Sequence, residues 1–304
     1  MIHLKFLHKR RLIARILLLC MTTSIAIAYA PAQQRSNRNA NATATNPTLL
    51  TRTTTRHEVR KLGYGGTLTI LGAPVGSITI EAWQRSEVDI TAEIELKAET
   101  EEDLARLATV NNFAVDEDVN HLSILTTGTH DRKFMKRAAR NFPKNLMNLP
   151  WKIDYHIRVP SMVDLDISNG RGAFTITGVE GAISFDAPES DANLTLTGGH
   201  VRMVVGNGSI HLNIAQRNWR GADSSFQLAS GDMTVELPEG YSGEIDADVL
   251  RNGQIENQYT ALTPREHETF TTRSLHGRAG AGGSKLTLTV GDGTLKVKKT
   301  VLSF

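Results

Sequence analysis

One short phrase recurs along this chain: glycine, any residue, apolar, any residue, apolar. It occurs as Gly66-TLTI, Gly76-SITI, Gly172-AFTI, Gly181-AISF, Gly199-HVRM, Gly208-SIHL, Gly231-DMTV and Gly293-TLKV. Successive side chains of a strand point to opposite faces, so each phrase reads as a turn followed by a strand with one buried face. Spacings of 10 residues (66 to 76) and 9 (172 to 181, 199 to 208) leave room for one short strand and one tight turn per unit. Between them, Asn193-LTL fills a place without its glycine. A degenerate repeat of this length, stacked strand on strand, predicts an all-β fold: a β-solenoid or irregular β-roll of short Gly-punctuated strands. A sandwich with short hairpins is the competing architecture. The pairs Asn169-Gly170, Asn207-Gly208 and Asp292-Gly293 suit turn positions with positive φ.

The first thirty-odd residues have the parts of an export signal: a basic start (Lys5, Lys9, Arg10, Arg11, Arg15), then the apolar run 16–28, then small residues. The run is shorter than the roughly 20 apolar residues of a spanning helix. Cleavage after Ala32 is expected, giving a signal peptide at 1–32, a flexible Asn/Thr-rich leader at 33–56 and a β-repeat domain at 57–304. Five of the 34 Lys and Arg, and none of the 32 Asp and Glu, fall in the signal, so the full-length net charge of +2 becomes 29 against 32, or −3. The basicity belongs to the signal, which removes the global support for nucleic-acid binding. Cys20, the single cysteine, lies there too, so the mature chain is expected to hold neither a disulfide nor a thiolate-bound metal.

Two segments interrupt the repeats. In Thr100-EEDLARLATV, a capping threonine, acids in the first turn and Leu104, Leu107 and Ala108 at helical spacing predict a short helix over an end or edge of the sheet. The second is the basic insert 130–150, between strands predicted at 121–127 and 151–159. Residues 131–144 hold six cations, Arg132, Lys133, Lys136, Arg137, Arg140 and Lys144, against one acid, with Phe134, Met135 and Phe142 among them. They are the candidate contact for a partner or an anionic surface. His200, Arg202 and His211 are candidate contacts on the polar strand face.

Catalytic motifs are not found. Gly206-Asn-Gly208, Gly291-Asp-Gly293 and Gly277-RAGAGGSK lack the Gly-Lys-Ser/Thr opening a helix that a phosphate loop requires. Ser242 in Gly240-Tyr-Ser-Gly243 is a turn serine without the surrounding pattern of a nucleophile elbow, and His267-Glu268 lacks the second histidine of a zinc-protease helix. His200 and His211 read as outward strand histidines before they read as a metal pair. Glu244, Asp246 and Asp248 alternate with Ile245, Ala247 and Val249 and so share one strand face, as a solvated face does. Paired across a cleft, such acids would cleave a glycosidic bond. No cofactor and no metal are implied, and the chain reads as not an enzyme.

The succession SNGRGAFTITGVEGAISFDAP (168–188), GGHVRMVVGNGSIHL (198–212) and LASGDMTVELPEGYSGEIDA (228–247) resembles the bacterial putative-adhesin family, over about residues 60–298. The resemblance implies a β-solenoid-like envelope domain and supplies no catalytic residues; the insert 130–150 departs from it. The expectation is an exported, non-enzymatic, adhesin-like or envelope interaction module, sited in the periplasm, on the outer surface or outside the cell. Its partners would be an envelope glycan, an acidic lipid surface or another envelope protein, not nucleic acid, with self-association through exposed strand edges. The alternatives are a periplasmic structural or stress-linked scaffold and a carbohydrate-active β-helix enzyme using clustered carboxylates.

Overall fold

A computed structural model of the protein describes residues 49–72 and 74–300. The signal segment 1–32 with Cys20, and the leader before residue 49, lie outside the described residues. The described chain is all-β, with seventeen strands and two short helices in one sheet that does not close into a barrel.

The first half of the chain contains β1 (Leu50–Lys61), β2 (Thr67–Leu71), β3 (Ile78–Trp83), β4 (Glu87–Ala98), α1 (Glu101–Ala108), β5 (Asn112–Asp118) and β6 (His121–Thr127). Then come α2 (Arg132–Ala138), a 3-10 turn (Lys144–Leu146), β7 (Trp151–Pro160), β8 (Asp164–Ser168) and β9 (Phe174–Thr177). The second half contains β10 (Ala182–Leu196), β11 (His200–Ile214), β12 (Ser224–Leu237), β13 (Gly243–Val249), β14 (Gly253–Asn257), β15 (Thr263–Pro264), β16 (Ser274–Ala279) and β17 (Lys285–Lys299).

Pairing is mainly parallel and in register. Ile183 pairs with Leu165 and Ala182 with His200, an offset of 18 residues in each case. The step from one strand to its partner here spans two Gly phrases, not one, with Gly172 and Gly181 both lying between Leu165 and Ile183. In β10, Ile183, Phe185 and Ala187 are buried, and then the inward phase shifts to Ala192, Leu194 and Leu196. That shift marks a bend, after which the same strand faces the core again from another side. The parts before the bend pair in the order β6-β2-β8-β10-β11-β12-β17-β13, and the parts after it in the order β7-β3-β9-β10-β11-β12-β17-β14.

The bends themselves stack. Gly208 (φ +128°), Gly231 (φ +131°) and Gly293 (φ +142°) follow one another across the sheet, each against the carbonyl oxygen of a neighbour. Ser190 holds the equivalent place in β10, its hydroxyl donating to the Gly172 carbonyl at 2.8 Å. Of the three predicted turn pairs, Gly208 and Gly293 have positive φ and Gly170 does not. Between the two halves, leucine, isoleucine and valine fill one core, with Phe174 stacked on Phe185 at 4.1 Å.

The ends of the ladder are covered by antiparallel strands, β5 on β6, β4 on β7 with β1 beyond it, and β16 on β13. The predicted helix is α1, where Thr100 accepts from the Asp103 N–H and Leu104 and Leu107 are buried beside β4. One boundary needs correction: β1 starts at Leu50, so residues 50–56 of the expected flexible leader are strand, and the folded domain begins before residue 57. Their threonines suit an extended backbone, Arg52 pairs with Glu101, and Arg56 lies over the Phe113 ring at 4.2 Å.

Candidate functional site

The basic insert is an enlarged bend. β6 pairs with β2 and β7 with β3, so residues 128–150 join β6 to β7 where a much shorter link joins β2 to β3. Asp131 starts α2 by accepting from the N–H groups of Lys133 (2.8 Å) and Phe134 (3.0 Å), and the Phe134 bond leads in lowering its carboxyl pKa. Met135 and Leu146 are buried beneath the segment, the Thr129 N–H donates to Asn111 Oδ1 at 2.9 Å, and the ring of His130 lies 5.4 Å from that of Trp151. Desolvation there holds the His130 imidazole below its ordinary value, so at neutral pH the charge of the insert comes from lysine and arginine.

All six predicted cations, Arg132, Lys133, Lys136, Arg137, Arg140 and Lys144, are exposed. Among the described residues, none of them has a carboxylate within 4.0 Å. On the strands most cations are paired, Lys61, Arg202 and Arg278 being the exceptions among the described residues. Arg158 pairs with Asp89 at 2.5 Å, Arg251 with Asp292 at 2.6 Å, Lys298 with Glu236 at 2.9 Å and Lys296 with Glu256 at 3.0 Å. Burial raises the pKa of Glu236, but hydrogen bonds from Lys298 and His211 outweigh it and hold the carboxyl below its ordinary value. The one acid at the start of the insert is engaged by the helix backbone, which leaves its positive charge uncompensated.

Three grooves surround this segment. One of about 800 Å³ runs between α1 and α2, past Arg106, Val110, Phe134, Arg137 and Phe142. A second, of about 460 Å³ and mainly apolar, has Met135, Ala139, Phe142 and Met147 in its walls and Arg132, Lys136, Arg140 and Lys144 among its lining. A third, of about 620 Å³, shares Arg132, Lys144 and Met147 with it and reaches Val75, Leu149 and Trp151. The cations of the second groove recur every fourth residue; that spacing puts Arg132 and Lys136 on one face of α2, and Arg140 and Lys144 follow beyond the helix end. That period and Met147 were the signals in the sequence from which the groove could have been found.

The other predicted contacts are not brought together. His200 and Arg202 lie before the bend of β11 and border a shallow groove of about 290 Å³ with Asp164, Asp166 and Ser184; the Nδ1 of His200 is 2.7 Å from the Asp223 carbonyl oxygen. His211 lies after the bend, 3.1 Å from Glu236. Both are outward strand histidines, and no cluster of three or more metal-ligating side chains occurs among the described residues.

Glu244, Asp246 and Asp248 do share one face of β13, and a basic side chain or a histidine meets each of them. Arg265 contacts Asp246 and approaches Glu244 at 3.6 Å, Lys285 lies 3.9 Å from Asp246, and His276 lies 3.3 Å from Asp248. Carboxylates paired in this way along one strand are not a pair opposed across a cleft, the arrangement a glycosidase needs. Among the described residues, no helix is long and apolar enough to cross a membrane.

No family model and no curated protein matches this chain. Several solved structures are similar to it. A putative cell adhesion protein from Clostridium sporogenes aligns at 12% identity and a TM-score of 0.41, over 81% of this chain and 100% of that one. A putative adhesin from Bacteroides fragilis aligns at 14% identity and a TM-score of 0.26, over 81% and 97%. A putative adhesin from Parabacteroides merdae aligns at 10% identity and a TM-score of 0.27, over 81% and 96%. Two of these three are described as putative adhesins and one as a putative cell adhesion protein.

Proposed function

We propose that this chain is an exported, non-enzymatic interaction module of adhesin-like build, a β-solenoid whose stacked repeats hold the basic insert out as a contact surface for the cell envelope. One observation carries the proposal: most cations on the strands have a carboxylate within 4.0 Å, whereas the six exposed cations of the insert have none among the described residues. Unpaired surface charge adds nothing to the fold, because even paired surface ions contribute only about 0–1 kcal/mol each. Its value lies in steering and holding an anionic partner. The names of the similar structures agree with a surface role, and the export signal expected at 1–32 supplies the route.

Two measurements test this. Protease treatment of intact cells, with a periplasmic control protein, should remove the mature chain while the control survives if it is displayed outside; protection in a soluble periplasmic fraction would leave an envelope partner facing the periplasm. Co-sedimentation with isolated envelopes should fall at least tenfold when all six cations are replaced by glutamine. Equal sedimentation of both forms, or none by either, refutes the proposed contact surface.

A further inference from the structure

The mainly apolar groove of the insert combines two features that a site for a soluble anion does not need. Its wall contains Met135, which is 5% exposed, with the half-buried Phe142 and Met147. Beside them stand four exposed cations, Arg132, Lys136, Arg140 and Lys144. A phosphate or a polysaccharide would use the charges and leave the apolar wall wet. An apolar peptide would fill the wall and leave the charges unanswered. At about 460 Å³ the groove is in the range of small-molecule sites, and the third groove continues the same combination toward Val75 and Trp151.

We propose that this groove docks the protein on a bilayer rich in acidic lipid, with part of an acyl chain against Met135, Phe142 and Met147 and acidic head groups under the four cations. The inference rests on the proposed function above and names its partner. Both halves of the ligand are required by the chemistry of the site. Apolar contact alone is weak, since even a whole myristoyl chain gives only marginal, reversible binding, and a polybasic patch is the usual second signal. Each cation near an anionic surface is worth about 1 kcal/mol, or roughly fivefold in partitioning. The seat is also well placed to stay open: α2 is held by its Asp131 cap and by buried Met135, so the cations are presented by a segment that already has its own anchors.

The test is sedimentation of the mature protein with vesicles of phosphatidylcholine alone and of phosphatidylcholine with phosphatidylglycerol, alongside binding to soluble polyphosphate. Binding is expected only with the acidic vesicles, weakening steeply with salt because the Debye length is about 8 Å at physiological ionic strength. The double variant Lys136→Gln, Arg140→Gln removes two exposed side chains without carboxylate partners and should weaken vesicle binding roughly 25-fold, with its melting temperature unchanged. Met147→Gln should weaken vesicle binding at least threefold and leave polyphosphate binding unchanged. Vesicle binding indifferent to Met147→Gln overturns the acyl seat. Polyphosphate or envelope binding that depends on the cations, without vesicle binding, overturns the lipid while leaving the contact surface intact. Binding of no anion at all removes both.

Discussion

Replacing Gly231 by alanine tests the stacked bends on which the fold depends. Gly231 has φ +131° and pairs in register with Gly208 of the preceding strand. A Cβ at this position would fall under 3.0 Å from the Gly208 carbonyl oxygen, a distance real Cβ atoms essentially never show. The obstacle is backbone in the middle of a ladder, so it cannot swing aside as a flexible side chain would. The unfavourable φ costs about 1–3 kcal/mol, and forcing the two strands apart costs about 1–3 kcal/mol more. Alanine also narrows the unfolded ensemble, which returns about 0.4–1 kcal/mol. The net loss is about 3 kcal/mol, which for a domain of this size lowers Tm by about 6–12 °C. Gly63→Ala is the control, because a Cβ there meets nothing within 4 Å, and its change should stay under about 0.5 kcal/mol. Thermal and urea unfolding, followed by far-ultraviolet circular dichroism and by tryptophan fluorescence, give both values. Unfolding of the two variants within about 0.5 kcal/mol of each other would refute the in-register stacking of the bends.

Thr100→Ala removes the hydroxyl that accepts from the Asp103 N–H and should cost about 1 kcal/mol in urea unfolding; an unchanged midpoint would remove the cap from the account of α1. Burial raises the pKa of Asp89, but hydrogen bonds from His57 (2.9 Å) and Arg158 (2.5 Å) outweigh it and set the carboxyl below its ordinary value. A depressed folded pKa contributes stability that is present above the unfolded value of about 3.9 and lost as pH falls through the folded one, so Asp89→Asn should lower the urea midpoint near neutral pH and converge with the parent in acid; a gap that ignores pH refutes this. Ending the chain after Ser284 removes β17, the strand between β12 and β13, and should abolish cooperative melting; an unchanged Tm would show that the strand is dispensable.

The period of 2 made the strands legible where a strand buries one face: Leu68 and Ile70, Ile78 and Ile80, Leu295 and Val297 are all buried. Thr100 with its following acids made α1 legible for the same local reason. What the phrase could not give was which glycines bend a strand and which end one. A glycine bend inside a continuous strand and a glycine turn between strands have the same sequence pattern, and only pairing tells them apart. The start of β1 was hidden by composition, since threonine and arginine serve a solvated leader and an edge strand alike. At the insert, the six cations were legible as charge, but their lack of partners was not, because the acids that could have paired with them come from distant segments. His200 and His211 were legible as outward strand histidines, and the bend of β11 puts them on different parts of the sheet.

The order of the repeats is a further step beyond local pattern. β2 with β3 pairs between the β6 and β7 repeat and the β8 and β9 repeat, and β17 pairs between β12 and the β13 and β14 repeat. Aliphatic side chains fill most inward positions of these strands and so distinguish one slot from another only weakly. The choice is made by polar groups at the strand starts and bends. Asp223 accepts from the Lys285 N–H at 2.8 Å, Asp232 from the Thr294 N–H at 2.9 Å, and the Ser284 hydroxyl donates to Gly221 at 2.7 Å, all joining β17 to the β12 side. Arg251 and Asn252 hold Asp292 from the β14 side. β17 is thus matched on both flanks, and a strand matched on both flanks fits one slot only. The first and last repeats are thereby kept inside the ladder, and the pairing edges that a stack of β repeats would leave open are taken by β4, β5 and β16. Aliphatic burial drives the stack together, while a few carboxylates and hydroxyls at the bends decide which strand lies beside which.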